Sequence, residues 1–262
     1  MLSANRQSSV IQETAKIKEN YEQGVNDIDS VYETLANNKS KKLNGYEENG
    51  LILYYDFKEQ EDIRNNIIKD LSQNGNDGII NGGTLQNGAL VLDGIDDWIR
   101  IKQLNYPNVT LEAVIEYDEV SESKEMSVIS NLQSGGYALS NYSITGDTPF
   151  NKFTAYIGDT YYSVSSPSQI KQNFKYYLSG SYNGQILTLS ENGNITTKEQ
   201  QGNIKYPEEN TIMVVGANPY GENVTGSFLK GKIYSIRIYN RALNNEEIQN
   251  NYKIDRARFE NN

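Results

Sequence analysis

The sequence predicts a mainly β protein: a two-sheet antiparallel sandwich or jelly roll, preceded by an N-terminal helical segment and closed by a short C-terminal helix. Three observations carry this. Residues 50 to about 240 consist of short strand-like runs broken by turn residues, with no helical period. Asn-Gly pairs recur at Asn87-Gly88, Asn183-Gly184 and Asn192-Gly193, and such pairs readily take the positive φ angles of a two-residue hairpin turn. Residues 1–42, by contrast, hold no proline and a single glycine, with apolar positions at helical spacing.

In that first segment Val10, Thr14, Ile17, Tyr21, Gly24, Ile28, Val31 and Leu35 follow one another in alternating steps of four and three. The stripe is narrow and suits helix-on-helix association better than a broad core. The segment is therefore expected to oligomerise as a coiled coil, with Val10, Ile17, Tyr21, Ile28, Val31 and Leu35 as the seam and a homotrimer through residues 10–35 as the product. The alternative is an amphipathic helix docked on its own domain or on a larger partner. Six basic and six acidic residues leave residues 1–42 neutral, so the net charge of -10 belongs to the remainder.

A polar linker at 43–49 leads to the β domain, residues 50–262, which opens with the strand "LILYYDF". Two strand-like runs flank Gly158-Asp159, and "ILTLSENGNITTKE" reads as a hairpin. Near the end, "GKIYSIRIYNRALNNEEIQNNY" joins a strand directly to a helix. Strict alternation places Tyr234, Ile236 and Ile238 on one face, with Ser235, Arg237 and Tyr239 on the other. Asn244 is the expected helix N-cap, Glu247 completes a capping box, and Leu243 with Ile248 forms a hydrophobic staple.

Composition excludes several chemistries. The 262 residues contain no His and no Cys, which removes imidazole bases, His-ligated zinc, thiolate nucleophiles and disulfides. A net charge of -10 argues against nucleic acid as partner. No stretch has the unbroken apolar length of a membrane span, and "MLSANRQSSVIQETAK" lacks the layout of a signal peptide.

The terminal run "RIYNRAL", with "GLILYYDF", "IKDLSQNGNDGIING", "GALVLDGIDDWIRI", "VTLEAVIEY", "FKYYLSGSYNGQILTLSENG" and "MVVGAN" in order before it, resembles the laminin-G-like, concanavalin A-like lectin/glucanase domains. The resemblance spans roughly residues 50–255 and implies a jelly roll, a scaffold shared by binding modules, adhesion domains and phage structural proteins. With the N-terminal heptads, the whole is similar to laminin-G-like proteins of phages. It implies a non-enzymatic virion-surface protein (fibre, tail or head decoration) among other virion structural proteins, with a host-surface glycan as ligand. A secreted bacterial carbohydrate-binding module is the alternative, and an active glycosidase a third.

Sites are weighed in the same way. "EYDEVSE" offers Glu116, Asp118 and Glu122, but at a spacing one residue too long for the glucanase pair. No catalytic residue is therefore expected. No cofactor is required; Asp70, Asn74, Asn76 and Asp77, whose oxygens crowd one tight loop, are the candidates for a structural calcium, set against the plain reading of an ordinary turn, with Asp93, Asp96 and Asp97 as a weaker second cluster. For glycan, aromatic platforms beside amides are needed. Trp98, Tyr161, Tyr162, Asn218, Tyr220 and Asn223 are the candidates, set against the plain reading that outward Tyr is a good strand former.

Overall fold

The computed structural model describes residues 14–25, 43–60, 66–120, 124–142, 148–207 and 211–260. The chain divides into two compact units, Met1–Gly45 and Tyr46–Asn262.

The first unit contains one described helix, α1 (14–25), exposed along its length. Ile17 and Tyr21, four apart, lie on one face at 65% and 73% exposure, and Lys18 pairs with Glu22 one turn on (3.8 Å). The expected coiled coil is thus represented by a single helix of about three turns. Val10, Ile28, Val31 and Leu35 lie outside the described residues.

The second unit is the predicted sandwich of two antiparallel eight-stranded sheets. The first sheet contains β1 (Leu51–Asp56), β4 (Thr84–Gln86), β5 (Ala89–Asp93), β7 (Val109–Tyr117), β12 (Lys175–Tyr182), β13 (Ile186–Glu191), β14 (Asn194–Glu199) and β18 (Lys230–Tyr239). Its order is β14-β13-β12-β7-β18-β5-β4, and β1 also pairs with β18. The second sheet contains β2 (Ile67–Ile68), β3 (Gly78–Asn81), β6 (Trp98–Ile101), β8 (Ser127–Ser130), β9 (Tyr137–Tyr142), β10 (Phe150–Ile157), β11 (Thr160–Gln169) and β15 (Met213–Val215). Its order is β11-β10-β9-β8-β15-β6-β3-β2. A separate hairpin pairs β16 (Asn218–Tyr220) with β17 (Asn223–Gly226).

Alternation fills the space between the sheets. Along β7, Val109, Leu111, Ala113, Ile115 and Tyr117 enter the main core, so Thr110, Glu112, Val114 and Glu116 face outward. The Asn-Gly signals at 87–88 and 192–193 produce turns with both residues at positive φ (51° and 72°; 52° and 81°). Asn183 differs: its side chain accepts from the N–H groups of Gln185 and Ile186, and only Gly184 is left-handed.

The strict alternation expected along β18 fails at one residue. A register shift between Ile233 and Ser235 against β7 inserts Tyr234 as a bulge. One extra residue reverses the parity, so Ile233, Ile236 and Ile238 occupy the core while Tyr234 packs outside with Val114 and Phe259.

The outer face of the first sheet is covered by α2 (Asn245–Phe259). Its capping box forms as predicted: Asn244 Oδ1 accepts from Glu247 N (3.0 Å) and Glu247 Oε2 accepts from Asn244 N (2.8 Å). The helix is anchored by a buried ionic cluster. Arg237 donates through Nε to Glu112 (2.8 Å) and through both terminal nitrogens to Asp255 (2.9 and 2.5 Å). Asn251 donates to Glu112, and the guanidinium lies 3.9 Å from the Tyr46 ring centre. Burial pushes the Glu112 carboxyl above its ordinary range, with Arg237 opposing.

Residues 46–49, expected to be linker, belong to this cluster. Tyr46 OH donates to Asp255 (2.7 Å), Glu47 N to Asn251 (3.1 Å), and Arg241 Nε to Asn49 O (2.8 Å). Tyr46 and Glu47 thus find partners distant in sequence, while Glu48 and Asn49 stay exposed. Among the described residues no helix is long and apolar enough to cross a membrane.

Candidate functional site

The six aromatic and amide candidates fall into two groups, one at the separate β16–β17 hairpin beside β6 and one at the edge of the second sheet. Trp98, Asn218, Tyr220 and Asn223 gather around the β16–β17 hairpin, while Tyr161 and Tyr162 lie on the edge strand β11. β11 is three strands from β8, about 14 Å at the usual strand spacing.

In the first group, Trp98 faces away from the core strand residues Ile99 and Ile101, as alternation requires. The hairpin segment then covers it: the indole packs in a satellite cluster with Ile212, Val214, Ala217, Val224 and Phe228. Part of its surface is spent on this packing, and the rest stays accessible. Asn218 is likewise engaged, accepting from Ser130 Oγ at 2.6 Å. Tyr220 and Asn223 face each other across the hairpin and are both exposed.

Tyr161 and Tyr162 are separated by the pleat. Tyr161 projects outward and leans on Tyr156 (centroids 4.6 Å apart). Tyr162 turns inward at the margin of the core, half-buried, with the Lys198 ammonium 5.9 Å from its ring centre. There it enters a cleft of about 420 Å³ at the open edge of the sandwich.

This edge cleft is built by two local devices. The β10–β11 turn uses left-handed Gly158 (φ 63°) to reverse the chain and present Asp159 and Thr160. Opposite, residues 200–205 leave β14 and are held by an isolated bridge between Ile157 and Ile204. The Tyr182 hydroxyl lies within hydrogen-bond reach of the Gln200 and Gly202 carbonyls (2.9 and 2.7 Å). The resulting walls carry the Tyr162 ring, the amides of Gln200, Gln201 and Asn203, and an Asp159–Lys205 ion pair (2.7 Å). Mutual contact raises the Lys205 amine above its ordinary range.

An aromatic face beside amide and carboxylate groups can stack on a sugar's C–H face and hydrogen-bond its hydroxyls. Sequence reading found Tyr162 and the turn but not Gln200, Gln201, Asn203 or Lys205. Those four sit on a segment whose proximity to Tyr162 depends on the two sheet edges meeting.

The calcium loop is stitched by its own bonds. Asp70 accepts from the N–H groups of Tyr54, Ser72 and Asn76. Asp77 accepts from Asp70 N and from the Lys69 ammonium (2.6 Å), which occupies the position a cation would seek. Asn74 and Asn76 aim their amide nitrogens, not oxygens, at the Leu51 and Ile52 carbonyls. The Asn76 oxygen alone in this loop is buried without a partner, far short of the about six to eight oxygens calcium takes. These residues do not fit the ion. Among the described residues the carboxylates that do converge are Asp93, Asp96 and Asp97, with oxygens within 4.8 Å of one another. Asp97 there accepts from the backbone of Gly83 and Asp93 (2.7 and 2.9 Å).

Glu116 and Asp118 share one ammonium, that of Lys232 (2.5 and 3.2 Å); Glu122 lies outside the described residues.

Comparison with known proteins gives the following. The family profile of the concanavalin A-like lectin/glucanases superfamily matches residues 93–249. No curated protein sequence matches the chain. Among solved structures, the binding domain of Paraclostridial mosquitocidal protein 1 is similar at 15% identity and TM-score 0.59, over 78% of this chain and 52% of that one. The receptor binding domain of botulinum neurotoxin D is similar at 17% identity and TM-score 0.56, over 79% and 53%. Domain 4 of AbnA, a GH43 extracellular arabinanase from Geobacillus stearothermophilus, in complex with arabinotriose, is similar at 17% identity and TM-score 0.58, over 78% and 98%. The aligned region spans about half the length of each of the two toxin domains. At such identities the likeness is one of fold.

Proposed function

The chain belongs to the concanavalin A-like lectin/glucanases superfamily, and we propose that its β domain binds carbohydrate without hydrolysing it. The observation that carries this reading is the edge cleft, where the Tyr162 ring stands among three amides and a carboxylate. Similar folds whose names describe receptor binding or an arabinotriose complex agree with it. The absence of hydrolysis rests on the carboxylates at hand: a glycosidase needs an acid and a second carboxylate about 5–9.5 Å apart across the bond. Glu116 and Asp118 are both tied up by the Lys232 ammonium, which neither a free proton donor nor a free nucleophile would be.

The test is a glycan array followed by titration calorimetry of the strongest binder. Tyr162→Ala and Asn203→Ala should each weaken binding by about tenfold, the scale of one lost stacking or amide contact. Unchanged affinity in both variants, with the fold intact by circular dichroism, refutes the edge cleft as the site.

The wider setting we propose is a virion surface. There a homotrimer formed through residues 10–35 would display the domain beside other virion structural proteins. Its support is the exposed pair Ile17 and Tyr21 on one face of α1, an apolar stripe that an associating helix would cover. Light scattering should give three chains for the full-length protein and one for a chain lacking residues 1–45. An unchanged subunit number after truncation refutes the assignment.

A further inference from the structure

We propose a second saccharide site, specific for uncharged sugars, in the cleft between β12 and the last turns of α2. It is built from none of the edge-cleft residues and shares with that reading only the ligand class. The cleft holds about 540 Å³, within the about 300–1,000 Å³ range of small-molecule sites.

Its walls are aromatic and rigid. Phe174, just before β12, is 46% exposed, its ring edge-on to Tyr176 at 5.1 Å. Tyr177 on β12 and Tyr252 on α2 meet at 5.6 Å in a T-shaped pair. Tyr252 approaches the 192–193 turn closely because residue 193 is glycine: a Cβ there would sit 2.7 Å from a ring carbon. Tyr252, Arg256 and Glu260 are four apart and so line one stripe of α2. An exposed phenyl ring and two further partly exposed rings lining one cleft give a sugar's C–H faces something to stack on.

The polar groups indicate which sugar. Each charge in the cleft already has a partner inside the protein. Glu260 is held by Arg256 (2.9 Å) and Glu116 by Lys232 (2.5 Å). The Lys175 ammonium donates to the Phe259 carbonyl (2.6 Å) and lies 4.2 Å from the Tyr234 ring centre. Burial pulls its pKa below the ordinary lysine value. An acidic sugar would meet the Glu116 and Glu260 carboxylates and would have to draw the Lys175 ammonium from the Phe259 carbonyl, and burying its own carboxylate costs solvation. Two amides remain for hydroxyls. The Asn173 side chain has no partner among the described residues. Asn192 uses its oxygen to accept from Tyr177 N (3.0 Å), which leaves its NH₂ group to donate.

The experiment is calorimetric titration of the full chain with cellotriose, xylotriose, arabinotriose and triacetylchitotriose as neutral probes and with trigalacturonate as the acidic one. Phe174→Ala removes the exposed ring. Asn173→Gly removes an amide while keeping the left-handed backbone at that position (φ 55°). The expected result is that at least one neutral trisaccharide binds, that each variant weakens it by about tenfold, and that trigalacturonate binds more weakly than the neutral probes. Thermal melting of each variant checks that the fold survives.

Binding that is unchanged in both variants overturns the proposal, as does tighter binding of trigalacturonate or no binding of any neutral probe. Binding lost in Tyr162→Ala but kept in Phe174→Ala leaves the edge cleft standing and removes this site. The reverse pattern keeps this site and removes the edge cleft.

Discussion

Asp255→Ala should unfasten α2 from the first sheet. In the native protein Arg237 is 1% exposed and Asp255 is 4% exposed, and their bidentate pair is backed by Glu112 on Arg237 Nε and by Tyr46 OH on Asp255. Removing the carboxylate deletes two guanidinium bonds and leaves the Tyr46 hydroxyl without its acceptor. Breaking one side of a buried pair costs about 3–5 kcal/mol, because the remaining charge stays buried. For a domain of this size each kcal/mol moves Tm by about 2–4 °C, so the melting point should fall by roughly 6–20 °C. Urea unfolding followed by far-UV circular dichroism gives the free energy directly. A triple replacement, Glu112→Leu with Arg237→Met and Asp255→Leu, removes all three charges together and should recover most of the loss, since a buried ionic set is often replaceable by packed apolar groups. A loss below about 1 kcal/mol in Asp255→Ala would refute the claim that the ionic cluster anchors the helix.

Three further outcomes follow from the same geometry. Burial pushes the phenols of Tyr46, Tyr117, Tyr137 and Tyr239 well above the ordinary value. Above about pH 10 the unfolded chain loses those protons and the folded one keeps them, so stability should fall as pH rises past that point; tyrosinate absorbance that reaches the full amplitude of all 20 tyrosines while the fold persists would contradict it. At the start of α2, hydrogen bonding from Arg241 holds the Glu247 carboxyl below its ordinary range. Its contribution is therefore present above about pH 4 and lost as pH drops through the lowered folded value. Asn244→Ala removes only the cap's pH-independent half and should cost about 1 kcal/mol by urea midpoint, while Glu247→Ala should cost less in acid than at neutral pH. Gly231→Ala should destabilise by about 1–3 kcal/mol or more, because a Cβ would sit 2.1 Å from the Glu116 carbonyl oxygen on β7; a variant as stable as the parent would show that β18 can shift away.

The sequence by itself determined whatever depends on neighbours along the chain. Left-handed Asn-Gly turns at 87–88 and 192–193, the inward set of β7 and the reciprocal cap of Asn244 and Glu247 all involve residues within a few positions of one another. Alternation also placed Trp98 opposite Ile99, but a period of two only assigns a face and is silent on what covers it. The hairpin segment that partly covers the indole begins more than a hundred residues later. The bulge at Tyr234 is equally invisible, since the mismatch exists only against β7. Both clefts were decided by tertiary structure for the same reason. Tyr162 and Asn203 line one cleft because two sheet edges converge, and Phe174 and Tyr252 line another because α2 is bolted across the sheet by Arg237 and Asp255. Local propensity fixes which side chains are offered at the surface, and long-range packing selects which of them share a cavity.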